Sequence, residues 1–439
     1  MRRPNNRDIM NILLRSCISF CLHACATVVV LGAQPVFPGA QGFGTDTPAG
    51  RGGRLLVVTN LAASGPGSLR AALAASGPRI VVFEVGGTID LARESLRIDH
   101  PFLTLAGQTA PPPGITIVRG GLSIRTHDVL VQHLAIRPGD ADQPKRSGWE
   151  PDGIGLSSAR NVVIDHCSTT WAVDENLSAS GPRHEGQTSA RITFSHCLIA
   201  EGLDDSSHHW APHSKGTLIH DRVQEVAIIA CLYAHNADRN PYFKIGASGV
   251  VVNNLIYNPR DAALTLNWSE REWASRPPPP HPRVSVVGNV LLPGPDTKTQ
   301  LALVGGRIGS AYLHDNRVEP TNSPAGPLVD ETIHSIDQPP LWPVGLTAQP
   351  AATVFEYVLR NVGSRPANRH EIDRRIVSTV VTRTGRIIDS QKEVGGYPDD
   401  RATHRRLVIP GGDIEAWLHS FSMAVEPATV PAPNQAGPR

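Results

Sequence analysis

The sequence predicts an all-β chain wound as a parallel β-solenoid, and three observations carry that prediction. One phrase recurs with variations: NVVIDHCSTTWAVDENLS, RITFSHCLIAEGL, EVAIIACLYAHNADRNP and GVVVNNLIYNP. Aligning Cys167, Cys197, Cys231, Asn254 and Asn289 spaces the copies roughly 23 to 35 residues apart, within the solenoid range. Each copy is an alternating β-branched run closed by Gly, Asn, Ser or Pro, which reads as a short strand and a turn. One such coil cannot bury its apolar face alone, whereas stacked coils can. The aligned Cys and Asn positions then form one inward row, with the Asn amides bonding the coils above and below. The variable intervals leave a β-sandwich of unrelated strands as the alternative.

Composition agrees with narrow coils and many turns: 5% aromatic residues, 40 Gly and 38 Pro in 439 residues. Lys+Arg 41 against Asp+Glu 40 leaves a net charge of +1, so no global field points to nucleic acid or an anionic membrane. The chain opens on Arg2, Arg3 and Arg7, and continues into the mostly apolar run 17–31 and the small residues Gly32 and Ala33. This is the pattern of a signal peptide over residues 1–33, and it predicts a secreted protein, extracellular or periplasmic. The apolar run is shorter than the roughly 20 residues a spanning helix needs. Cys17, Cys21 and Cys25 would leave with that leader. Cys167, Cys197 and Cys231 remain, an odd number at one phase of the repeat, so buried filler suits them better than a disulfide framework or a tetrahedral metal site.

Residues 34–420 read as one domain. Its glycine-rich start alternates strand, helix and strand, with Ser68 capping a short helix over 68–73, and forms an N-terminal cap that covers the first coil. No Gly-Lys-Ser/Thr follows the glycines, which excludes a phosphate loop. Coils follow at 103–108, 122–125, 129–137 and 153–157, ahead of the central repeats. The run 276–280 is a polyproline loop between coils, since 284–292 resumes the phrase. Strands continue to about Val318. The C-terminal segment is irregular and helical, with helices over 352–361 and 370–376, and the Pro/Ala-rich residues 421–439 read as a disordered tail.

Glu150, Asp152, Asp174 and Glu175 sit at the ends of two successive coils. Positions one coil apart lie about 4.8 Å from each other, so these carboxylates can meet on one side. Clustered hard oxygen ligands suit Ca²⁺; ordinary surface carboxylates beside turns are the other reading. Lys215, Arg239 and Lys244 are the basic counterpart. Lys215 leads into a strand, and Pro241 is expected to stop a strand and fix the direction of Arg239. Taken singly, each of these cations could equally be a solvated turn residue.

Seven phrases, FPGAQGFG, GRGGRLLVVTNL, GPGSLRAAL, LTLAGQTAPPPGI, IRPGD, DGIGLSSARNVVIDHCSTTWAVDENLS and HNADRNPYFK, resemble polysaccharide lyase family 1, the pectate lyases. The resemblance runs from about Phe37 to Asn258, with an echo at Gly395-Gly396-Tyr397-Pro398. It implies a right-handed parallel β-helix, calcium, and β-elimination of polygalacturonate by a secreted enzyme, here a monomer acting on an acidic polysaccharide. Glu150 and Asp152 match two acids flanking the family's metal, and Asp174 matches the first acid of the following pair. The second of that pair falls on Ser178, a poor ligand, which leaves Glu175 to substitute. Arg239 matches the arginine that abstracts the C5 proton, Lys215 the lysine that grips the substrate carboxylate, and Lys244 a second substrate-binding cation. At Lys244 a lysine stands where the family often has arginine, without its bidentate fork. Removing a proton beside a carboxylate builds an enolate-like dianion, so cations there serve the transition state above all. Asp165-His166 reads as core hydrogen bonding. Three rivals stand: a polygalacturonase-type hydrolase using Asp204 and Asp205, a non-catalytic polysaccharide-binding solenoid, and a calcium-independent pectin lyase, which the acidic cluster disfavours.

Overall fold

In the computed structural model, residues 34–321 and 324–427 are described. The expected signal peptide, with Cys17, Cys21 and Cys25, lies outside the described residues.

Three parallel sheets make up the domain, of eleven, eight and ten strands. Each coil gives one strand to each in turn: Arg160–Asp165 to the first, Ser168–Thr170 to the third, Glu175–Ser180 to the second, and then Ala190–Ser195 to the first again. Register is kept from coil to coil, so like stacks on like. Ile164, Phe194, Ile228, Val251 and Val286 form one fully buried row, because each pairs with the next along the first sheet. This is the expected parallel β-helix. The ten-stranded sheet is closed at one edge by an antiparallel strand, Thr403–His404, beside Val85–Asp90.

Sharp corners give the coils their shape. Between the first-sheet and third-sheet strands one residue per coil takes a left-handed backbone: His133, His166, His196, Ala230, Asn253, Gly288 and Asp315. From His133 to Gly288 each corner N–H bonds the next coil, as His166 N–H does with Ser195 O at 3.0 Å. Residues 129–137, expected as one coil segment, are accordingly two strands, His127–Gln132 and Leu134–Arg137, broken at His133 with φ 58°. Just inside the corner runs the predicted row of Cys167, Cys197, Cys231, Asn254 and Asn289, all fully buried. Asn254 Nδ2 donates to Asn289 Oδ1 at 2.9 Å, and Asn289 Nδ2 to Asn316 Oδ1 at 3.0 Å. A ladder of amides thereby satisfies backbone and side chain together where no water enters.

The cap helix Leu69–Leu73 has Ser68 as its N-cap, accepting from Ala71 N–H, and sends Leu69 and Leu73 into the core. Helices Ala351–Asn361 and Glu371–Thr382 lay Val354, Val358, Ile372, Ile376 and Val380 over Leu198, Leu232 and Leu255 of the third sheet. A third, Ile414–Val425, covers Ile80 and Val82 of the first sheet with Trp417, Leu418 and Phe421. It crosses the boundary expected at 420, which is thereby corrected; residues 428–439 of the expected tail lie outside the described residues. The apolar clusters outside the bore thus belong to the first and third sheets. Among the described residues no such cluster lies on the second sheet: its outward row, Ser123, Gly155, Ser178, Leu218 and Tyr242, is uncharged, and charges stand at the strand starts Glu175 and Lys215.

Candidate active site

Three strands of that second sheet set the geometry: Ile154–Ser157, Glu175–Ser180 and Lys215–Ile219. Glu175 pairs in register with Lys215, and Lys215 bridges to Asp238 on the following coil. Residues far apart in sequence are therefore one rung apart in space. Asp152 folds back over this ladder. Its Oδ1 accepts from Glu175 N–H at 3.1 Å and its Oδ2 from the Ser178 hydroxyl at 2.7 Å. Gly155 makes the room, since a Cβ there would stand 2.6 Å from Asp152 Oδ2.

Asp152, Asp174 and Glu175 each offer an oxygen, all within 4.8 Å of one another, and so form a group that could hold a metal ion. An oxygen-only donor set suits a hard cation. Crowding shows in the acidities. Burial, followed by repulsion from Asp174, pushes the Asp152 carboxyl up to about 7, against the pull of Ser178 and Arg239. Burial would raise Asp174 as well, but the hydrogen bond and charge of His213 hold it below its ordinary value. His213 Nε2 lies 2.9 Å from Asp174 Oδ1.

Arg239 closes the group by pairing its guanidinium with Glu175, and its charge lies 5.8 Å from the centre of the Tyr242 ring. Its backbone is left-handed, φ 61°, and held from both ends: its N–H donates to Asp238 Oδ1 at 2.6 Å and its carbonyl accepts from Thr217 N–H at 2.6 Å. Burial lowers the Arg239 pKa from its usual value, while Asp174, Tyr242, Asp152 and Glu272 oppose the shift. The strand Tyr242–Phe243 begins directly after Pro241, so this proline opens a strand instead of ending one, as the sequence had suggested. Lys215 Nζ lies 3.4 Å from Asp238 Oδ2.

Two expected residues stand differently. Glu150 Oε2 lies 2.5 Å from His209 Nδ1 and 3.4 Å from His208 Nε2, in a neighbouring group that reaches Asp174 through His208 at 3.9 Å. Trp210 N–H donates to His208 Nδ1 at 2.9 Å, so the neutral ring carries its proton on Nε2, facing both carboxylates as a donor. Lys244 is buried and tied to Glu272 and to Asp221, 3.2 Å away, which Arg183 also neutralises. His208, His209 and His213 join the site although the repeat does not point to them; the three histidines in HHWAPH are the signal the sequence offers.

The hydrolase pair does not assemble: Asp204 Oδ1 is bound by Arg260 at 3.1 Å, and Asp205 by Lys145 and Arg146 at 2.9 and 2.8 Å. Asp165 accepts from Gln132 at 3.0 Å and from Ser195 at 2.7 Å, beside the stacked rings of His166 and His196, in the hydrogen-bonding role expected of it.

No family model matches the chain. Relatives do. The chain is 31% identical over 405 residues to a probable pectate lyase C of Aspergillus flavus, covering 88% of this chain and 85% of that protein. The same identity and coverage hold for a probable pectate lyase C of Aspergillus oryzae. Among solved structures, a thermostable pectate lyase superposes with a TM-score of 0.55 at 15% identity, over 77% of this chain and 100% of that one. The major allergen of cedar pollen gives 0.54 at 16% identity, over 73% and 91%. These two show the shared fold, the right-handed parallel β-helix, and the closer sequences show the lineage: the chain belongs to the pectate lyase family of polysaccharide lyases.

Proposed function

We propose that the protein is a secreted, monomeric lyase that cleaves de-esterified polygalacturonate, or a related uronan, by calcium-assisted β-elimination, with Arg239 as the base. The observation that carries this reading is the meeting of Arg239 with Asp152, Asp174 and Glu175 at one edge of the second sheet, two cationic rungs beside an oxygen-only group. Asp152, Asp174 and Glu175 would hold Ca²⁺, whose charge offsets that of the substrate carboxylate. Glu150, engaged by two imidazoles, supports Asp174 from the side.

Lys215 is the residue assigned to grip the carboxylate of the reacting sugar. Cations at that carboxylate stabilise the dianion formed as the C5 proton leaves. Arg239 takes that proton; the electron pair forms the C4=C5 bond, the C4–O bond breaks, and the leaving oxygen gains a proton from water. An arginine ordinarily stays protonated. Burial of the guanidinium works in the required direction by disfavouring its charge. Lys244 binds substrate on this reading only by exchanging a partner among Asp221 and Glu272.

The test is purified protein with polygalacturonate and Ca²⁺ at alkaline pH, following ultraviolet absorbance of the 4,5-unsaturated product. Chelator should abolish the signal. Arg239→Ala should lower kcat by about 10²- to 10⁴-fold, the usual worth of a general base, with oligogalacturonate still bound. Reducing ends without absorbance would assign a hydrolase. Activity only on another uronan would move the substrate and keep the chemistry.

A further inference from the structure

An indole stands beside this group with no protein over it. Trp210 is 71% exposed, and the other exposed large hydrophobics among the described residues are all aliphatic or methionine. Lone exposed hydrophobics are common and by themselves mean little. What distinguishes this one is its mounting. The Trp210 ring centre lies 4.1 Å from that of His209 and 6.1 Å from that of His208. Those imidazoles hold Glu150 and reach Asp174.

The loop is also fixed along its length. Arg146 N–H bonds Ser206 O and Gly148 N–H bonds Ser207 O, each at 2.9 Å. Beyond the ring, Ala211 N–H bonds His208 O at 3.1 Å and His213 N–H bonds Asp204 O at 2.9 Å. Exposed apolar surface costs about 25 cal/mol per Å² relative to burial. Here that surface is held in place by a built support, one imidazole from the acidic group.

We infer that Trp210, backed by His209, is a stacking platform for a sugar ring, an outer subsite for the same uronan whose central residue meets Lys215 and Arg239. The C–H face of a pyranose is electropositive and the indole face electronegative, so the two stack, and a single flat ring beside the Glu150 and Asp174 carboxylates suits one sugar. The inference rests on the polysaccharide reading above and adds a subsite to it.

The experiment compares the full-length Arg239→Ala protein, in which binding proceeds without cleavage, with the same protein carrying Trp210→Ala or Trp210→Phe, using galacturonate oligomers of increasing length in saturating Ca²⁺. Dissociation constants come from calorimetry, and quenching of tryptophan fluorescence is compared with Trp210→Phe. Trp210→Ala should weaken the longest oligomers about tenfold, ~1.4 kcal/mol, and trimers by less than about twofold; Trp210→Phe should keep most of the affinity. Quenching by long oligomers should vanish in both variants. Equal loss at every length would overturn the subsite, as would no loss at all. A change in oligomeric state with unchanged affinities would assign the ring to an interface between copies. Because binding is read directly, an absence of unsaturated product from the wild-type protein would sink the lyase reading and leave this result standing.

Discussion

Replacing Ser178 with alanine removes one hydroxyl and tests how the acidic group is kept ready for a cation. The Ser178 hydroxyl donates to Asp152 Oδ2 at 2.7 Å, and it opposes the burial and the Asp174 repulsion that push Asp152 up to about 7. A hydrogen bond to a charged group contributes ~1.5–3 kcal/mol. Without it, Asp152 moves further up and holds its proton through neutral pH. A carboxylate must be ionised to bind metal, so at about pH 7 the apparent Ca²⁺ affinity of Ser178→Ala should fall roughly 10- to 100-fold. At about pH 9 the deficit should shrink, because Asp152 then ionises in both proteins. Calorimetric Ca²⁺ titrations across that range are the assay, with proton release measured in two buffers of different ionisation enthalpy. The sign for stability is the reverse of the common carboxylate case. The folded value lies above the unfolded one, so in metal-free protein the contribution of Asp152 is present at acid pH and lost as pH rises through about 7. An unchanged affinity at neutral pH, or a deficit of constant size at every pH, would refute the argument.

Three further outcomes follow from the geometry. Asn289→Ala leaves Asn254 N–H without its acceptor inside the bore, at ~1–3 kcal/mol, so urea unfolding should show a loss of about 1–3 kcal/mol; a loss below about 0.5 kcal/mol would mean that water or repacking replaces the ladder. Burial lowers His166, His208 and His235, and takes His220 to about 4, so each binds its proton at lower pH in the fold than in the unfolded chain, where imidazoles titrate near about 6.5. Stability in saturating Ca²⁺, where Asp152 is held ionised, should therefore decline as pH falls from about 7 toward about 4, and denaturant melts across that window should show it. Glu272→Gln removes one of the carboxylates that hold Lys244 and Arg183, and should lower the KM for polygalacturonate about two- to fivefold, the scale of a partly exposed ion pair. An unchanged KM would confine Lys244 to its network with Asp221.

How far the sequence could be read depended on what each signal encodes. The Cys167–Asn289 row was legible because a residue's phase in the repeat decides whether it faces the bore, and burial enforces that phase at every coil. The grouping of Asp152, Asp174 and Glu175 was legible for a related reason, since neighbouring coils keep register. Ser178 looked like a lost ligand in one dimension. Its hydroxyl turns out to hold Asp152, a role that depends on that aspartate folding back across Gly155. The His208–His213 loop is not legible in this way because it lies off the repeat, where phase says nothing about direction.

From its sequence alone the protein is determined to be a stack of coils with a patch of carboxylates on successive rungs, since repeat spacing and side-chain alternation are local properties that every coil must satisfy. Which cation serves that patch is decided only in three dimensions. Arg239 and Lys244 stand five positions apart in the chain, yet one meets Glu175 and the other is enclosed by Asp221 and Glu272. The left-handed turn at Arg239 and the packing of the segment around Trp273 send them to different partners, and neither is visible in a period.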